Sequence, residues 1–373
     1  MSTVATTNLK NAASASNNIV LDASGNAAFA GNVTASGNVT STGMVVPSSS
    51  FLRNRIINGA MSVSQRNGTS SVNVSSDSYS LDRWLNRVSG GGVIANQQST
   101  AVIPTGFAYS AALTVQTADA SIAAGDVYDF EQRIEGFNTS DLGWGTASAQ
   151  TVTLSFWVRS SITGTYGVGI QAASYTRSYV TTYTVNVSNT WEFKTLTVPG
   201  DTSGTQNVSN GLGVGVCFDL GSGSNCNATA GVWGPGGGLW RTSGCVNWIA
   251  NAGATFYLTG VQLEVGTVAT PFERRQYGQE LSLCQRYYAQ QSASLLNRAY
   301  NYGASTFDVW HFVSLPVTMR AIPTVSAVID INDGSNTTPN FIQATTTSFC
   351  LASYGRSAGQ FVDLNSWIAS IEL

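Results

Sequence analysis

Apolar and polar residues alternate with a period of two along much of the chain, and this is the pattern of half-buried β-strands. In the central part the alternation is clearest at residues 151–159, 191–198, 212–220 and 254–264. Clusters of Gly, Asn and Ser separate these segments, as expected for tight turns. Many short strands with close turns predict an all-β fold, with a jelly-roll β-sandwich over residues 51–275.

The C-terminal part repeats this pattern on a smaller scale. We predict strands at residues 307–315, 325–331, 341–351 and 361–371, which together form a small β domain over residues 300–373. A domain of about 70 residues has a thin core, so packing against other copies of the chain would stabilise it.

One helix is predicted, within a connecting segment at residues 276–299. Leu281, Cys284 and Tyr288 fall at positions i, i+3 and i+7, which share one face of a short helix. The pattern therefore indicates a helix from residue 279 to residue 288, between the sandwich and the C-terminal domain.

A six-residue repeat occupies residues 25–46, and each frame begins with Gly. Eight apolar residues between positions 19 and 45 share odd numbers: Ile19, Leu21, Ala27, Phe29, Val33, Ala35, Val39 and Val45. One face of an extended path is therefore apolar. The alternative interpretation is a flexible linker rich in Gly, Asn and Ser.

The energetics of the repeat favour an oligomer. Ordering six backbone residues costs roughly 6–12 kcal/mol, whereas burying one or two small apolar side chains returns about 2–5 kcal/mol. In a single chain the free energy gained by burial does not offset the cost of ordering the backbone. Neighbouring copies must therefore cover the apolar face of the repeat. We predict a homotrimeric β stalk at residues 19–50, preceded by an attachment segment at residues 1–18.

Composition and charge narrow the function classes. Charged residues make up 10% of the chain, against about 25% in typical soluble domains. The net charge is −3 and no run of basic residues occurs, so no nucleic-acid partner is expected. No stretch of about 18 apolar residues is present, so membrane insertion is not expected either.

The chain offers little for metal or cofactor chemistry. Its five cysteines, at positions 217, 226, 245, 284 and 350, form no CxxC pair, and His311 is the sole histidine. We therefore predict no metal site and no cofactor. The thiols are expected to be reduced, with a Cys226–Cys245 bridge as the alternative.

Catalytic motifs are also missing from the sequence. It contains no G-x-S-x-G elbow, HExxH helix or Walker loop. By strand parity, His311 lies with Val309 and Val313, which indicates a half-buried residue rather than a base. Three acidic residues, Asp126, Glu131 and Glu135, lie near one another as glycosidase carboxylates would, but their spacing fits no motif. We predict that the chain is not an enzyme.

Two sets of aromatic and arginine residues are the candidates for binding a glycan. The first set shares parity along one predicted strand and comprises Tyr175, Arg177, Tyr179 and Tyr183. The second lies in or just after a glycine-rich loop at residues 221–243 and comprises Trp233, Trp240, Arg241 and Trp248. Tyr and Trp combine an apolar ring with a polar tip, which suits sugar rings at a wet surface. Core packing or subunit contact is the alternative for both sets.

Four further residues are predicted to be structural. Trp84, which follows Asp82 and Arg83, would anchor the core while Arg83 reaches a carboxylate or carbonyl. Glu264 and Arg274 would pair across strands near the end of the sandwich.

An ordered set of motifs over nearly the whole chain resembles bacteriophage tail-fibre proteins. The motifs are NRIINGAMSVSQR at residues 54–66, DRW at residues 82–84, VQLEVG at residues 261–266, PFERRQYGQELSLCQRYY at residues 271–288 and LPVTMRAIPT at residues 315–324. The start, SNNIVLDASG at residues 16–25, is similar to the N-termini of short phage fibres.

This resemblance implies a sandwich like a carbohydrate-binding module, carried on a virion that assembles in the host cytoplasm. Its expected partners are two further copies of the chain, other virion proteins bound through residues 1–18, and host-surface polysaccharide. The expected function is attachment to a host-surface glycan. The alternatives are an architectural capsid fibre or decoration protein, and a surface-polysaccharide depolymerase.

Overall fold

The computed structural model describes residues 8–9, 19–21, 27–29, 53–291, 299–300, 307–330, 336–357 and 360–373. Two units are distinguished by their internal contacts, Met1–Pro47 and Ser48–Leu373. Regular structure is nearly all β, and the strands form several antiparallel sheets. The predicted all-β fold class is therefore confirmed.

In the first unit, three short strands form one antiparallel sheet: β1 (Asn8–Leu9), β2 (Ile19–Leu21) and β3 (Ala27–Phe29). The register places Ile19 opposite Phe29 and Leu21 opposite Ala27, so the odd-numbered residues pair with one another. Residues 30–50, which carry most of the six-residue repeat, lie outside the described residues. The trimeric stalk and the attachment segment at residues 1–18 stay predictions.

Thirteen strands build the sandwich of the second unit. They are β4 (Val72–Val74), β5 (Ser78–Leu81), β6 (Trp84–Ser89), β7 (Val93–Ser99), β8 (Ser110–Thr117), β9 (Val127–Glu135), β10 (Val152–Ser160), β11 (Gly164–Ala172), β12 (Arg177–Val185), β13 (Glu192–Val198), β14 (Leu212–Asp219), β15 (Trp233–Pro235) and β16 (Thr255–Val265). Short 3-10 turns lie at Gly136–Asn138, Ser140–Leu142, Ala173–Tyr175, Ser224–Cys226 and Trp248–Ala250.

These strands form two sheets. Sheet I has the order β13-β10-β16-β8-β7-β4, and sheet II has the order β15-β12-β11-β14-β9-β6-β5. Successive strands repeatedly change sheet, as in the predicted jelly roll. Rings from both sheets meet in one core, where Phe156 of sheet I packs edge-on against Phe218 and Tyr183 of sheet II.

The DRW motif covers the turn between β5 and β6 and the first residue of β6. Trp84 is fully buried and stacks on Phe130 with ring centroids 4.9 Å apart, which confirms its predicted role as a core anchor. Its indole N–H donates to the carbonyl of Asn58, in the segment that precedes β4. Arg83 reaches both a carboxylate, that of Glu372, and a carbonyl, that of Arg133, as predicted.

A helix, α1 (Tyr277–Gln285), follows the sandwich. Cys284 and Leu281 face a small cluster with Ile57 and Val63, so the helix packs on the segment before β4. The prediction that the helix continues to Tyr288 is wrong. The helix ends at Gln285, and Tyr288 begins a strand in which its ring lies under the Arg66 guanidinium, 3.6 Å from centroid to Cζ.

The described residues of the C-terminal part form eight strands: β17 (Tyr288–Gln291), β18 (Ala299–Tyr300), β19 (Phe307–Ser314), β20 (Thr324–Asp330), β21 (Asn336–Thr337), β22 (Phe341–Ala344), β23 (Ser348–Arg356) and β24 (Phe361–Ser370). One sheet has the order β17-β24-β20-β21, with β18 also on β24, and the other has the order β19-β23-β22. The two sheets share one core, in which Phe349 packs edge-on against Trp367.

The structure changes several of the sequence predictions in this region. The predicted strand at residues 341–351 is two strands, because residues 345–347 turn to form the β22–β23 hairpin. His311 is almost fully buried, and this burial lowers the pKa of its imidazole. All five cysteines are free thiols, so no Cys226–Cys245 bridge is present.

The predicted Glu264–Arg274 pair is also wrong. Glu264 accepts hydrogen bonds from Gln262 and Thr270 and lies 3.7 Å from Arg53. The Arg274 guanidinium instead lies over the ring of Phe107. Each of the two side chains is therefore engaged with other partners.

Ionic contacts join the sandwich to the C-terminal sheets. Arg286, just after α1, donates two hydrogen bonds of 2.8 and 2.6 Å to Glu135 on β9. Tyr287 adds a third, at 2.7 Å, to the same carboxylate. Glu372, near the end of the chain, pairs with Arg66 and Arg83.

Candidate functional site

The outer face of sheet I carries a group of partly exposed aromatic rings, which we name the open aromatic face. It comprises Trp157 on β10, Trp191 and Phe193 at the start of β13, Tyr257 on β16, and Arg159 beside them. The alternation of β10 directs Phe156 and Val158 into the core and so turns Trp157 and Arg159 outward. Phe193 is 47% exposed, which is high for an aromatic ring on a strand.

Strand register places these side chains in adjacent rows. Trp157 lies opposite Phe193 on one side and Thr259 on the other, and the Trp157 and Phe193 rings are 5.4 Å apart. In the next row Arg159 lies opposite Tyr257, with its guanidinium 5.1 Å from the ring centroid. The face therefore combines ring surfaces with a cationic hydrogen-bond donor, as sites for polar ligands with apolar faces do.

A hydrogen-bonded turn fixes the edge of this face. Glu192 accepts hydrogen bonds from the backbone of Asn186 and Val187 and from the ammonium of Lys194. Burial alone would raise the pKa of Glu192, but these hydrogen bonds outweigh it and lower the pKa to about 2. Because the Glu192 carboxylate stays ionised, it keeps these hydrogen bonds and stabilises the turn between β12 and β13. This turn positions Trp191 and Phe193 on either side of Glu192.

A pocket of about 150 Å³ continues the face beyond Gly260. Gly260 has φ +62°, and a Cβ there would lie 2.6 Å from the Phe107 ring and 3.1 Å from that of Trp157. The missing side chain therefore lets both rings lie over the strand. The Arg274 guanidinium lies 4.9 Å from the Phe107 centroid and 5.9 Å from that of Phe272. Residues lining the pocket include Ser62, Phe107, Tyr109, Phe272, Arg274 and Tyr277.

The outer face of sheet II is closed instead. Glycines on β11 allow the segment around Trp240 to lie directly on the sheet, since a Cβ at Gly169 would be 2.4 Å from the Trp240 Cβ. Trp240 is almost fully buried and packs with Cys217 and Cys226, and the Arg87 guanidinium lies 4.7 Å from the centroid of its ring. The loop after β14 therefore covers this face.

The predicted Tyr175–Tyr183 stripe does not form an exposed surface. Tyr179 and Tyr183 face the interior of the sandwich, where the Tyr183 ring packs on Phe156 and Tyr166. Tyr175 precedes β12 in a turn with φ +67°, and its hydroxyl contacts the buried Glu131. Arg177 forms two hydrogen bonds of 2.8 Å with Asp201. Tyr179 and Tyr183 do share one face of β12, as their parity predicted, but this face packs into the core.

The predicted loop set is dispersed by the fold. Trp248 is fully buried in the core of the sandwich and packs edge-on against Phe256. Trp240 is buried against Cys217 and Cys226. Trp233 stays half-buried between Trp144 and Tyr179, and its indole N–H donates to the Pro199 carbonyl at 2.7 Å. Arg241 of this set lines a cavity together with Asn227 and Asn247.

The three acidic residues considered for glycoside hydrolysis have structural partners. Glu135 is held by Arg286 and Tyr287, and Glu131 is buried between Tyr175 and Arg133. Asp126 accepts a hydrogen bond from the Ala123 N–H in the turn before β9. Within the described ranges, no group of three or more His, Cys, Asp or Glu side chains is arranged to hold a metal ion.

No helix among the described residues has the length and apolar character that crossing a membrane requires.

The sequence does contain a signal for the open aromatic face. Trp157 occupies the polar phase of an otherwise regular alternation, together with Thr153, Ser155 and Arg159. Tyr257 is in phase with Thr255 and Thr259 in the same way. An aromatic residue in the polar phase of a strand indicates a ring that faces away from the core.

Comparison with known proteins gives structural similarities only. No protein-family model matches the chain, and no curated protein matches it. Among solved structures, the enzymatically active domain of tailspike protein 4 from bacteriophage CBA120 is 13% identical with a TM-score of 0.31. That match covers 57% of this chain and 21% of the tailspike chain.

Two carbohydrate-binding modules are also similar. A family 4 module is 16% identical, with a TM-score of 0.26 over 56% of this chain and 98% of the module. The family 11 module of the cellulosomal cellulase Lic26A-Cel5E of Clostridium thermocellum is 12% identical, with a TM-score of 0.28 over 56% and 100% of the respective chains. TM-scores and identities this low transfer neither a site nor a ligand.

Proposed function

We propose that the chain is a trimeric virion fibre protein that attaches to host-surface polysaccharide through the open aromatic face. The observation that carries the binding proposal is the row of outward rings on sheet I, with Trp157 and Phe193 in contact and Arg159 over Tyr257. Sugar rings have apolar C–H faces and polar edges, so they pack on aromatic faces while arginine donates to their hydroxyls.

The length of the face supports a chain-like ligand rather than a single sugar. Residues of sheet I that are two apart along a strand are about 7 Å apart. The rings of Phe193 and Trp157 lead over Gly260 to Phe107 and Phe272, and so cross several strands. A polysaccharide segment can contact all of these rings at once. Several weak contacts made by one ligand give a higher overall affinity than any single contact.

The binding proposal is tested on a glycan array and by affinity electrophoresis in host polysaccharide. Trp157→Ala and Tyr257→Ala are expected to lose binding while their melting temperatures stay close to that of the unchanged protein. Trp310→Ala is the matched control, because Trp310 is 45% exposed on a different sheet. Equal binding by all three variants would contradict the site, and release of reducing sugar would instead support the depolymerase.

The virion role rests on the resemblance of the motifs at residues 54–66, 82–84, 261–288 and 315–324 to phage tail fibres. In this structure, the motif residues mostly hold the fold together. Asn58 bonds Val63 and the Asp82 carbonyl, and Arg275 donates to the Ile56 carbonyl. An architectural fibre without a receptor is the remaining alternative, and it predicts no binding to any host glycan.

A further inference from the structure

A second group of exposed aromatic rings lies on the outer face of the β19-β23-β22 sheet, in the C-terminal part of the chain. We name it the C-terminal ring face, and it comprises Trp310 and Phe312 on β19, Phe341 on β22 and Tyr354 on β23. These residues are 45%, 74%, 36% and 41% exposed, in that order. They are separate from the open aromatic face and from its pocket, which lie on the sandwich.

Strand register gathers these rings on one side of the sheet. Trp310 lies opposite Ala352, which in turn lies opposite Phe341, and the ring centroids of Trp310 and Phe341 are 5.8 Å apart. The Tyr354 ring centroid is 6.3 Å from that of Trp310. The other phase of the same strands, which includes Phe349, forms the core of the domain. The rings therefore form one patch on the face that the core does not use.

The area of this patch matches what a protein interface needs. With about 200 Å² for a whole aromatic side chain, the exposed fractions of the four residues leave about 400 Å² of ring surface. One partner of a standard interface contributes about 800 Å², of which slightly more than half is apolar. The rings therefore supply about the apolar area of one partner. Gln343, Ser314 and Ser348, on the same face of the sheet, supply polar surface around them.

The distribution of charge favours a second copy of the chain as the partner. Around a symmetry axis each side chain near the axis meets its own copies, so a charge there would meet the same charge. A face that packs on itself must therefore be uncharged at its centre. The acidic and basic side chains of this sheet, Asp308 and Arg356, both lie at one end of it. Asp308 there accepts a hydrogen bond from the Gly355 N–H, and Arg356 donates one to Asn340.

The open aromatic face has the opposite character. Its Arg159 guanidinium lies over the Tyr257 ring, so two copies of that face would bring like charges together. The hydroxyls of a polysaccharide can accept hydrogen bonds from this guanidinium. On the C-terminal ring face, the most exposed ring is that of Phe312, which lies opposite Cys350 and carries no polar group. This ring is better matched by an apolar protein surface than by a sugar.

We propose that the C-terminal ring face is a subunit interface, at which this domain packs against the same face of other copies around the symmetry axis of the assembly. The number of copies, three, rests on the function proposed above. The face and its partner rest on the rings and charges of the sheet. Because the two C-terminal sheets share one small core, cover from neighbouring copies stabilises the domain.

The first test measures whether the face is covered in the full-length protein. Cys350 reports on it, because this thiol is half-buried on the same face, whereas the other four cysteines are buried. An aromatic disulfide reagent labels the native protein, and mass spectrometry identifies the modified thiol. We expect Cys350 to be protected in the assembly and to be labelled at least tenfold faster in Tyr354→Asp. Tyr354 lies four residues along β23 from Cys350, about 13 Å away, so its substitution acts through the interface rather than by uncovering the thiol directly.

The second test measures the stability of the assembly. Phe312→Asp brings carboxylates together at the axis, and native mass spectrometry of a dilution series should show dissociation at a concentration at least tenfold higher than for the unchanged protein. Val268→Asp is the matched control, because Val268 is 73% exposed and lies outside this sheet. It should change neither the dissociation nor the labelling of Cys350. Circular dichroism checks that each variant is folded, as expected for substitutions at exposed positions.

The outcomes separate this proposal from the function proposed above. A trimer in which Tyr354→Asp and Phe312→Asp behave like Val268→Asp would overturn the interface and leave the trimer and the glycan surface standing. A monomer at every concentration would overturn both the interface and the trimer. Protection of Cys350 that appears only when host polysaccharide is added would show a glycan on this face and overturn the proposal as well. Because the predicted stalk joins the chains independently, Trp310→Ala should still keep its glycan binding.

Discussion

The guanidinium of Arg83, in the turn between β5 and β6, forms an ion pair with the carboxylate of Glu372, the penultimate residue of the chain. Arg83 is 1% exposed, has φ +70°, and stacks on Tyr287 with 3.5 Å between its Cζ and the ring centroid. Burial opposes the charged form of Arg83, but Glu372 outweighs it and raises the pKa of the guanidinium. Glu372 is thus bound to the β5–β6 turn of the sandwich.

Removing Glu372 should therefore destabilise the whole second unit. Glu372→Ala leaves a buried, uncompensated guanidinium, which costs about 3–5 kcal/mol. Chemical unfolding measures the loss of free energy. The control is Asp141→Ala, because Asp141 pairs with Arg55 at 2.5 Å but its side chain is 56% exposed. An exposed pair contributes about 0–1 kcal/mol, so equal effects of the two substitutions would contradict the buried role of Arg83.

Adding one methyl group at Gly260 should disrupt the proposed glycan surface. In Gly260→Ala the new Cβ displaces the Phe107 and Trp157 rings, so polysaccharide affinity should fall about tenfold, or by about 1.4 kcal/mol. Gly266→Ala is a matched control, since Gly266 also has positive φ but a Cβ there meets no atom within 4 Å. Affinity electrophoresis compares the two. If both variants keep the original mobility shift, the rings over Gly260 do not contact the polysaccharide.

The closed face of sheet II gives a prediction about thiol reactivity. Cys217 and Cys226 lie under Trp240, and burial raises the pKa of Cys226 to about 12. Gly169→Ala should lift the Trp240 segment and increase labelling of both thiols by an aromatic disulfide reagent, with the sites identified by mass spectrometry. Gly244→Ala, in open space on the same loop, should leave the labelling rate unchanged. Slow labelling in Gly169→Ala would show that the loop tolerates the methyl group.

Asp219 should make stability depend on pH. Burial raises the pKa of its carboxyl from 3.8 to about 6, despite the nearby Arg241. Between these values the folded state binds more protons than the unfolded state, so stability falls as the pH rises from about 4 to about 6. The difference corresponds to about 3 kcal/mol.

Asp219→Asn removes this titration while keeping the size and shape of the side chain. The stability of the unchanged protein relative to the variant should therefore decrease from pH 4 to pH 7. Taking this difference cancels the contribution of His311, whose lowered pKa acts in the opposite direction over the same range. A difference that is constant with pH would mean that Asp219 titrates near its ordinary value in the folded protein.

The six-residue repeat predicts the mass of the native assembly. Native mass spectrometry of the full-length protein should give three times the chain mass of 39.1 kDa. Phe29→Asp places a charge in the apolar register of the repeat and should lower the fraction of trimer, whereas Asn26→Asp, in a predicted turn of the repeat, should not. A stable monomer in the unchanged protein would contradict the stalk.

The sequence by itself determined the fold class and some of the strands. Period-two alternation located four of the thirteen sandwich strands, β10, β13, β14 and β16, and most of the C-terminal ones, because side chains on a strand alternate between two environments. The sequence also predicted that Trp84 is a core anchor and that Arg83 binds a carboxylate or a carbonyl. A large ring is most stable when it is buried, and a permanently charged guanidinium needs acceptor oxygens. The turn within residues 341–351 was missed because Ala344, Thr345 and Thr347 carry no Gly or Pro signal.

Only the tertiary structure decided which phase of each strand faces the core. Tyr179 and Tyr183 were predicted to face a ligand and instead pack inside, whereas Trp157 was taken as part of a regular strand and faces outward. In β10 both phases contain a ring, Phe156 and Trp157, and in β12 the phase of Tyr179 and Tyr183 also carries Arg177, so local alternation does not tell the core face from the outer face. The choice depends on which sheet covers which face, and residues far apart in sequence make that contact. The same reason applies to Arg241, whose pocket exists only because residues 122, 227 and 247 meet around it.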